Sequence, residues 1–93
     1  MAIETTVLDF KLNNTFEEYK AVMTSSKMKF FFASAKMRIL YIGVSKDDPQ
    51  RAIVIFQAEE GVTISGFNNP AVKPIVESTG HIHEGTIITR WIS

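Results

Sequence analysis

Two neighbouring segments of this chain are apolar on both sides of the strand that each would form. Residues 39–42 read Ile-Leu-Tyr-Ile, and residues 52–56 read Ala-Ile-Val-Ile-Phe. Successive side chains of a strand point to opposite faces of its sheet, so a strand with one wet face alternates apolar and polar residues. These segments do not alternate, and neither do the neighbours Ile87 and Ile88. We therefore expect a sheet that is shielded from water on both faces.

Strand and helix signals divide the rest of the chain into short elements. Alternation or β-branched residues predict strands over residues 5–12, 38–44, 51–58 and 82–92, with a polar turn containing Pro49 between the middle two. Thr15 and Glu18 have the spacing of a capping box, which predicts a helix start. Ser26 is the expected cap of a second helix that runs to about Lys36.

The stretch between residues 59 and 80 is harder to assign. The Val, Thr and Ile of residues 59–67 favour a strand, and two glycines weaken any helix there. Asn69–Pro70 has the sequence of a helix start, whereas Pro74 would disturb a helix interior. We expect a broken helix over about residues 61–78, ended by Gly80 in the left-handed conformation.

The resulting order is β-α-β-β-α-β, with the first helical segment itself broken. Four strands with helical crossovers predict an α+β fold: a ferredoxin-like sandwich with a four-stranded antiparallel sheet, as one domain over residues 1–93. Its helices cover one face only. An uncovered apolar face of several hundred Å² is more than soluble monomers usually expose, so we expect a homodimer that pairs sheet on sheet. The alternative is that long helical side chains bury the hairpin within one chain.

Composition excludes several classes of protein. Lys+Arg and Asp+Glu both number 10, so the chain lacks the basic excess of a typical nucleic-acid binder. It has no cysteine, which removes disulfides and thiolate chemistry. No apolar run is long enough for a membrane helix, and the opening Met1–Glu4 lacks a signal peptide's basic and apolar regions. We expect a cytoplasmic protein without membrane insertion, cofactor or metal.

Three segments carry a resemblance to a known family: KLNNTFEEY (11–19), VSKDDPQRAIVIFQAEE (44–60) and STGHIHEGTIITRWIS (78–93). They resemble a family of short bacterial proteins of unknown function in the dimeric α+β barrel superfamily. The resemblance implies a dimeric barrel with a small-molecule cleft between helices and sheet. That superfamily includes cofactor-independent quinol-type monooxygenases, muconolactone-type isomerases, haem-handling enzymes and stress-responsive proteins, and the family provides no catalytic residues to transfer.

The aromatic and thioether side chains near the second helix are the first candidates for a site. Phe30, Phe31 and Phe32 lie close in sequence to Met23, Met28 and Met37, and flexible thioethers with aromatic rings can line an adaptable apolar pocket. Phe30 exceeds what one helix face needs for the core. We expect Phe31 and Phe32 to contact a ligand, although such clusters are more often ordinary core.

The last strand supplies further candidates. His81 and His83 share a face with Trp91 if the strand is regular, and they could act as a general base or as metal ligands. A metal would need a third ligand, and the alternative for both histidines is a structural role. Arg90 is either an ion-pair partner or an anchor for an anionic head group.

Two polar residues in apolar strands need partners. Asp9 is expected to pair with Arg38 or Arg90, within the chain or across subunits, or else to act as an acid or base with a raised pKa. Tyr41, in a strand expected to be central, must find a partner for its hydroxyl.

These features lead to three hypotheses. The first is a small-molecule-binding protein whose apolar cleft takes a hydrophobic or amphipathic ligand such as an acyl chain, with Phe31, Phe32, Tyr41, His83, Arg90 and Trp91 as contact residues. The second is a cofactor-independent enzyme of the monooxygenase or isomerase type, which would need a base in reach of its substrate. The third is a protein that serves assembly alone and has no internal cavity.

Overall fold

The computed structural model describes residues 2–93, which form a four-stranded antiparallel sheet and four short helices. The strands are β1 (Ile3–Leu12), β2 (Arg38–Val44), β3 (Arg51–Glu59) and β4 (His81–Ile92), and the helices are α1 (Phe16–Met23), α2 (Ser26–Ser34), α3 (Val62–Phe67) and α4 (Lys73–Ser78). The strand order across the sheet is β2-β3-β1-β4. This arrangement confirms the predicted α+β, ferredoxin-like topology.

Strand β1 shows which face of the sheet the helices cover. Its residues alternate along the strand, and Leu8, Phe10 and Leu12 are buried in the same core as side chains from the helices. Leu8 is paired with Val54 in β3 and with Ile88 in β4, so the apolar layer continues across three strands. Burying each such side chain stabilises the fold by about 1.5–3 kcal/mol. We call this helix-covered side the inner face and the other side the outer face.

Helix α1 begins as the sequence predicts. The Thr15 hydroxyl accepts a hydrogen bond from the Glu18 N–H at 3.1 Å, and the Glu18 carboxylate accepts one from the Thr15 N–H at 3.1 Å. The bond from the Thr15 N–H, followed by a contact from the Thr15 hydroxyl to the same carboxylate at 3.0 Å, lowers the pKa of Glu18. The helix turns Tyr19 and Met23 into the core.

Helix α2 differs from the prediction at both ends. Ser25, not Ser26, is the N-cap, because its hydroxyl accepts from the Met28 N–H at 3.3 Å. The helix ends at Ser34 rather than near Lys36, and Lys36 takes a left-handed φ of 59° that turns the chain towards β2.

The broken helix of residues 61–78 is present as α3 and α4. The expected start at Asn69–Pro70 is wrong, since the Asn69 side chain instead accepts from the Ala71 N–H in a turn. Helix α4 begins at Lys73, and Pro74 is tolerated because the N–H groups of a helix's first turn have no partner within the helix. Gly80 has a φ of 102°, as the sequence predicts, and a side chain there would collide with Asn14.

Strand β4 is not regular. Asp9 is paired with Ile87 and Lys11 with Ile82, so five residue steps in β4 match two in β1. Gly85 occupies this insert with a φ of 79°, which favours glycine. The expectation that His81 and Trp91 share a face is therefore wrong: His81 lies on the inner side opposite Leu12, whereas Trp91 lies opposite Thr5 on the outer face.

Two expectations about polar residues also need correction. Strand β2 is at the edge of the sheet, so Tyr41 is not in a central strand, and its side chain lies on the outer face with 55% exposure. The Asp9 carboxylate is paired with neither Arg38 nor Arg90. Its partner is the Arg51 Nε, 2.8 Å away on the neighbouring strand.

Candidate functional site

A cavity of about 160 Å³ lies between the helices and the inner face of the sheet. Leu8, Val54, Phe56 and His81 of the sheet form one side, and residues from all four helices and the segments beside them form the rest. Drug-sized ligands usually occupy pockets of about 300–1,000 Å³, whereas a cavity of roughly 150 Å³ is enough to bind benzene. The space is therefore suited to a single small ring or a chain of a few carbon atoms.

Most of the cavity wall is apolar, with thioethers and aromatic rings prominent. Met23, Met28 and Met37 line it together with Phe31 and Phe32. Phe32 packs on Phe31 with ring centroids 5.5 Å apart. Within residues 2–93, no Asp, Glu, Lys or Arg lines this space.

Two residues that line the cavity have a buried hydroxyl group without a hydrogen-bond partner among residues 2–93. They are Tyr19, which is 1% exposed on α1, and Thr63, which is 2% exposed in the first turn of α3. A buried polar group without a partner costs about 1–3 kcal/mol, so both groups are unusual. Burial also raises the pKa of Tyr19, which keeps its hydroxyl protonated.

His81 is a further polar side chain on the wall. Its Nε2 lies 2.8 Å from the hydroxyl oxygen of Thr86, and that hydroxyl donates to the backbone carbonyl of His83 at 2.8 Å. Because the Thr86 proton is already used, the network assigns the His81 proton to Nε2 and leaves Nδ1 as an acceptor. Burial, with a smaller effect from the nearby His83, lowers the pKa of His81 to about 3. The ring is therefore neutral near pH 7.

The six residues expected to contact a ligand separate into three places. Phe31 and Phe32 line the cavity. Tyr41 and Trp91, 55% and 61% exposed, lie on the outer face, where the Trp91 Nε1 donates to Thr89 at 3.1 Å. His83 and Arg90 are in the third place, beside the cavity. Phe30 is not one of the six, but it was expected to add to the cleft; it is 77% exposed and does not line the cavity.

His83 and Arg90 lie near the wall but serve other partners. The His83 ring stacks on Phe67 with centroids 4.1 Å apart, and its Nε2 lies 3.0 Å from the Phe67 carbonyl at the end of α3. Arg90 donates from Nε to Glu4 at 2.8 Å. Both contacts support the α3 side of the cavity, since Glu4 also accepts from the N–H of Gly61 at 3.2 Å, just before α3.

Glu4 is a buried carboxylate with a lowered pKa. Burial by itself raises the pKa of Glu4, but the hydrogen bonds from Arg90 and Gly61 and the Arg90 charge outweigh that effect. The carboxylate therefore stays ionised near pH 7 and joins β1, β4 and the start of α3.

Sequence reasoning did not find Tyr19, Thr63 and His81 as a set. Tyr19 has the helical spacing of an ordinary core residue, and Thr63 lies in the stretch that reads partly as a strand. His81 was considered with His83, but the irregularity of β4 decides which one reaches the inner side. A polar residue on a helix face otherwise made of apolar residues was the available signal for Tyr19 and Thr63.

Two other kinds of feature are missing from the part of the chain that the structure describes. Residues 2–93 contain no group of three or more His, Cys, Asp or Glu placed to hold a metal ion. None of the helices that these residues form has the length and apolar character needed to cross a membrane.

Comparison with known proteins gives a family and a fold. Residues 3–93 match the model of a family described as a domain of unknown function, DUF3764. No curated protein matches the chain.

Among solved structures, the chain is similar to SnoaB of Streptomyces nogalater, a cofactor-independent oxygenase. A variant of SnoaB matches with a TM-score of 0.59 and 14% identity, over 98% of this chain and 90% of that one. A second SnoaB structure matches with a TM-score of 0.55 and 13% identity, over 100% of this chain and 92% of that one. Likeness at this identity establishes the shared fold.

Proposed function

This chain belongs to the DUF3764 family, and we propose that it is a small-molecule-binding protein whose ligand occupies the cavity between the helices and the sheet. The observation that carries the proposal is a space of about 160 Å³ that is lined by apolar side chains and open on part of its boundary, in a chain of 93 residues. Sites for small molecules are typically concave and mostly apolar. A space of this size is a reason to expect an occupant.

Size selects the ligand. The volume matches a compact ring of about six carbon atoms, whereas an acyl chain would fit only over its first few carbons. Met23, Met28 and Met37 give the wall side chains with several rotatable bonds, which can adjust to ligands of different outline. Phe31 and Phe32 are the aromatic contacts that we propose for the ligand.

Toluene is a suitable first probe because it has the size of the cavity and no charge. We expect it to raise the unfolding temperature at millimolar concentration and to shift NMR signals of methyl groups that line the cavity. A ligand whose free concentration is 100 times its Kd stabilises the folded state by about 2.7 kcal/mol. An unchanged unfolding temperature and unchanged spectra would overturn the proposal and favour the assembly hypothesis.

A matched pair of variants on α2 and its cap locates the binding. Ala35, the C-cap of α2, lines the cavity, and Ala33 is an exposed residue of α2 that does not. Ala35→Leu adds three carbon atoms at the cavity wall, so it should weaken toluene binding at least tenfold. Ala33→Leu makes the same change outside the cavity and should leave binding unaltered.

The likeness to SnoaB supports a second candidate, a cofactor-independent oxygenase. Such an enzyme needs a group that takes a proton from its substrate, and a general base works best with a pKa near the working pH. The imidazole on the cavity wall belongs to His81, whose pKa is lowered to about 3, so it is a weak base at neutral pH. Oxygen consumption in the presence of small quinols would favour this candidate over simple binding.

We also propose that two copies of the chain pair through their outer faces. Val7, Ile53, Ile55 and Ile87 make this face apolar, and Tyr41 and Trp91 lie at its margins. Four strands of 10, 7, 9 and 12 residues, about 4.8 Å apart, present a face of roughly 600 Å². A standard interface buries about 800 Å² on each partner, so the face supplies most of a dimer contact.

A further inference from the structure

We propose that a second concavity, between α2 and the edge strand β2, binds a small apolar molecule that carries one carboxylate. It has a volume of about 350 Å³, which is within the range of about 300–1,000 Å³ for drug-sized ligands. We call it the side groove, and its walls include Met23, Lys29, Phe32, Met37, Arg38 and Ile39. The inference does not depend on the proposed function, because it needs no occupant in the cavity under the sheet.

The floor of the side groove is apolar. Met23 and Phe32 are buried, and Met37 and Ile39 are half-buried. Phe32 is fixed from behind, since its ring packs on Phe56 with centroids 5.1 Å apart. An apolar body placed on this floor would leave water at a gain of about 25 cal/mol for each Å² that it buries.

The rim of the side groove is positively charged. Lys29 on α2 and Arg38 at the start of β2 are both exposed, and neither forms a salt bridge within residues 2–93. Arg38 donates to the side-chain oxygen of Gln57 at 2.9 Å, a neutral partner that leaves the guanidinium charge uncancelled. No Asp or Glu among the described residues lines the groove. An apolar floor beside an unpaired positive rim favours an amphipathic anion.

Charge along the chain is segregated in the same region. Residues 20–46, which include α2 and β2, contain six Lys or Arg and no Asp or Glu, whereas the rest of the chain has four against ten. Charges of one sign that are concentrated on one part of a surface raise the local concentration of ions of the opposite sign. Contact with either Lys29 or Arg38 is therefore sufficient, because the other cation adds to the attraction without touching the ligand. A guanidinium also matches the two oxygens of a carboxylate in shape.

Two probes with the same two-ring body test the inference: naphthoate and its neutral counterpart naphthamide. A double ring suits the side groove and exceeds the space of about 160 Å³ under the sheet, which suits a single ring. NMR titration of the intact chain at pH 7 and low salt measures both affinities. We expect naphthoate to bind at least about tenfold more tightly than naphthamide. The preference should shrink at high salt, because exposed charges are screened.

Three variants identify the cations that cause the preference. Lys29→Gln and Arg38→Gln should each lower the ratio of naphthoate to naphthamide affinity about two- to fivefold, and together they should bring it close to one. Lys27→Gln removes the same charge from an exposed position of α2 that does not line the groove, so it should change the ratio less than about twofold. The NMR spectrum of each variant verifies that it is folded.

Two alanine methyl signals locate the bound probe in the unmodified chain. Ala33 lines the side groove but not the cavity under the sheet, and Ala35 lines that cavity but not the groove. Naphthoate should shift the methyl signal of Ala33 and leave that of Ala35 in place.

The outcomes separate this inference from the proposed function. Equal affinities for naphthoate and naphthamide, no binding of naphthoate at millimolar concentration, or a shift of Ala35 alone would each overturn the side-groove inference. A ratio that falls as much in Lys27→Gln as in Lys29→Gln and Arg38→Gln would overturn it as well. Failure of toluene to bind, with naphthoate bound at Ala33, would remove the proposed function and leave this inference standing.

Discussion

His81 lies flat against Phe10, with ring centroids 3.7 Å apart and ring planes 10° from parallel. Phe67 packs nearby, its centroid 5.6 Å from that of His81. The imidazole is therefore held among aromatic rings in a dry region, where a positive charge is poorly solvated. This packing is the physical cause of its low pKa.

The first prediction concerns acid stability. The pKa of His81 is about 3 in the folded chain against an ordinary 6.5, so below pH 6.5 the unfolded chain binds a proton that the folded chain does not. The stability that neutral His81 provides is complete above pH 6.5 and is lost as the pH falls towards 3. His81→Phe keeps an aromatic ring and removes the proton site. The free energy of unfolding is measured with urea at pH 7, 6 and 5. Its decrease with falling pH should be smaller in His81→Phe than in the wild type, by up to about 1.4 kcal/mol per pH unit. Equal slopes would contradict the assignment.

The second prediction is that removing a buried hydroxyl stabilises the chain without ligand. Tyr19→Phe and Thr63→Val each remove a buried group that has no partner within residues 2–93. Each should raise the free energy of unfolding by about 1 kcal/mol, or the unfolding temperature by about 4–8 °C. Thr79→Val is the matched control and should destabilise, because its hydroxyl already donates to Val76. A loss of stability in both cavity variants would show that their hydroxyls are satisfied after all.

The third prediction compares two ion pairs. Arg90→Met leaves the buried Glu4 carboxylate without its cation, and it should lower stability clearly at pH 7. Glu4 has a lowered pKa, so its ionic contribution is present above its ordinary pKa of 4.5 and is lost as the pH falls through the folded value. The deficit of Arg90→Met should accordingly shrink towards pH 3.

The control for the third prediction is Arg51→Met, which breaks the partly exposed pair with Asp9 on the outer face. Pairs of this kind contribute about 0–1 kcal/mol, so this variant should be nearly neutral in a chain kept monomeric by dilution. Chemical unfolding of both variants measures the difference. If Arg90→Met and Arg51→Met lost the same free energy of unfolding at pH 7, the prediction that the buried Glu4 carboxylate depends on its cation would be wrong.

The fourth prediction concerns self-association. Sedimentation at micromolar concentration should give twice the chain mass of 10.5 kDa. Ile87→Lys places a charge on the outer face and should give a single-chain species, whereas Phe30→Lys changes an exposed apolar residue on α2 and should leave the dimer intact. Trp91 fluorescence should shift to the red on dissociation. A wild-type species of 10.5 kDa at these concentrations would refute the pairing.

Much of the fold follows from local signals, and the site depends on details that those signals do not contain. The Thr15–Glu18 cap, the hairpin and the order of elements along the chain follow from spacing and turn residues. The insert around Gly85 has no comparable signature, because its residues favour a strand whether or not it is regular. That one irregularity decides which face holds His81 and which holds Trp91. Thr63 was missed although the expected broken helix includes it, because the weak helical signal there does not fix which side chains turn towards the core, where Phe67 packs.

The insert in β4 shifts the alternation of that strand, so that residues of different parity face the helices before and after it. Before Gly85 the odd-numbered residue His81 faces the helices, whereas after it the even-numbered residue Ile88 does, and Ile87 and Trp91 lie on the outer face. Alternate residues beyond this glycine therefore affect different properties, one set altering the packing beside the cavity and the other altering which chains can pair. A change in the length of the insert would disturb both properties at once.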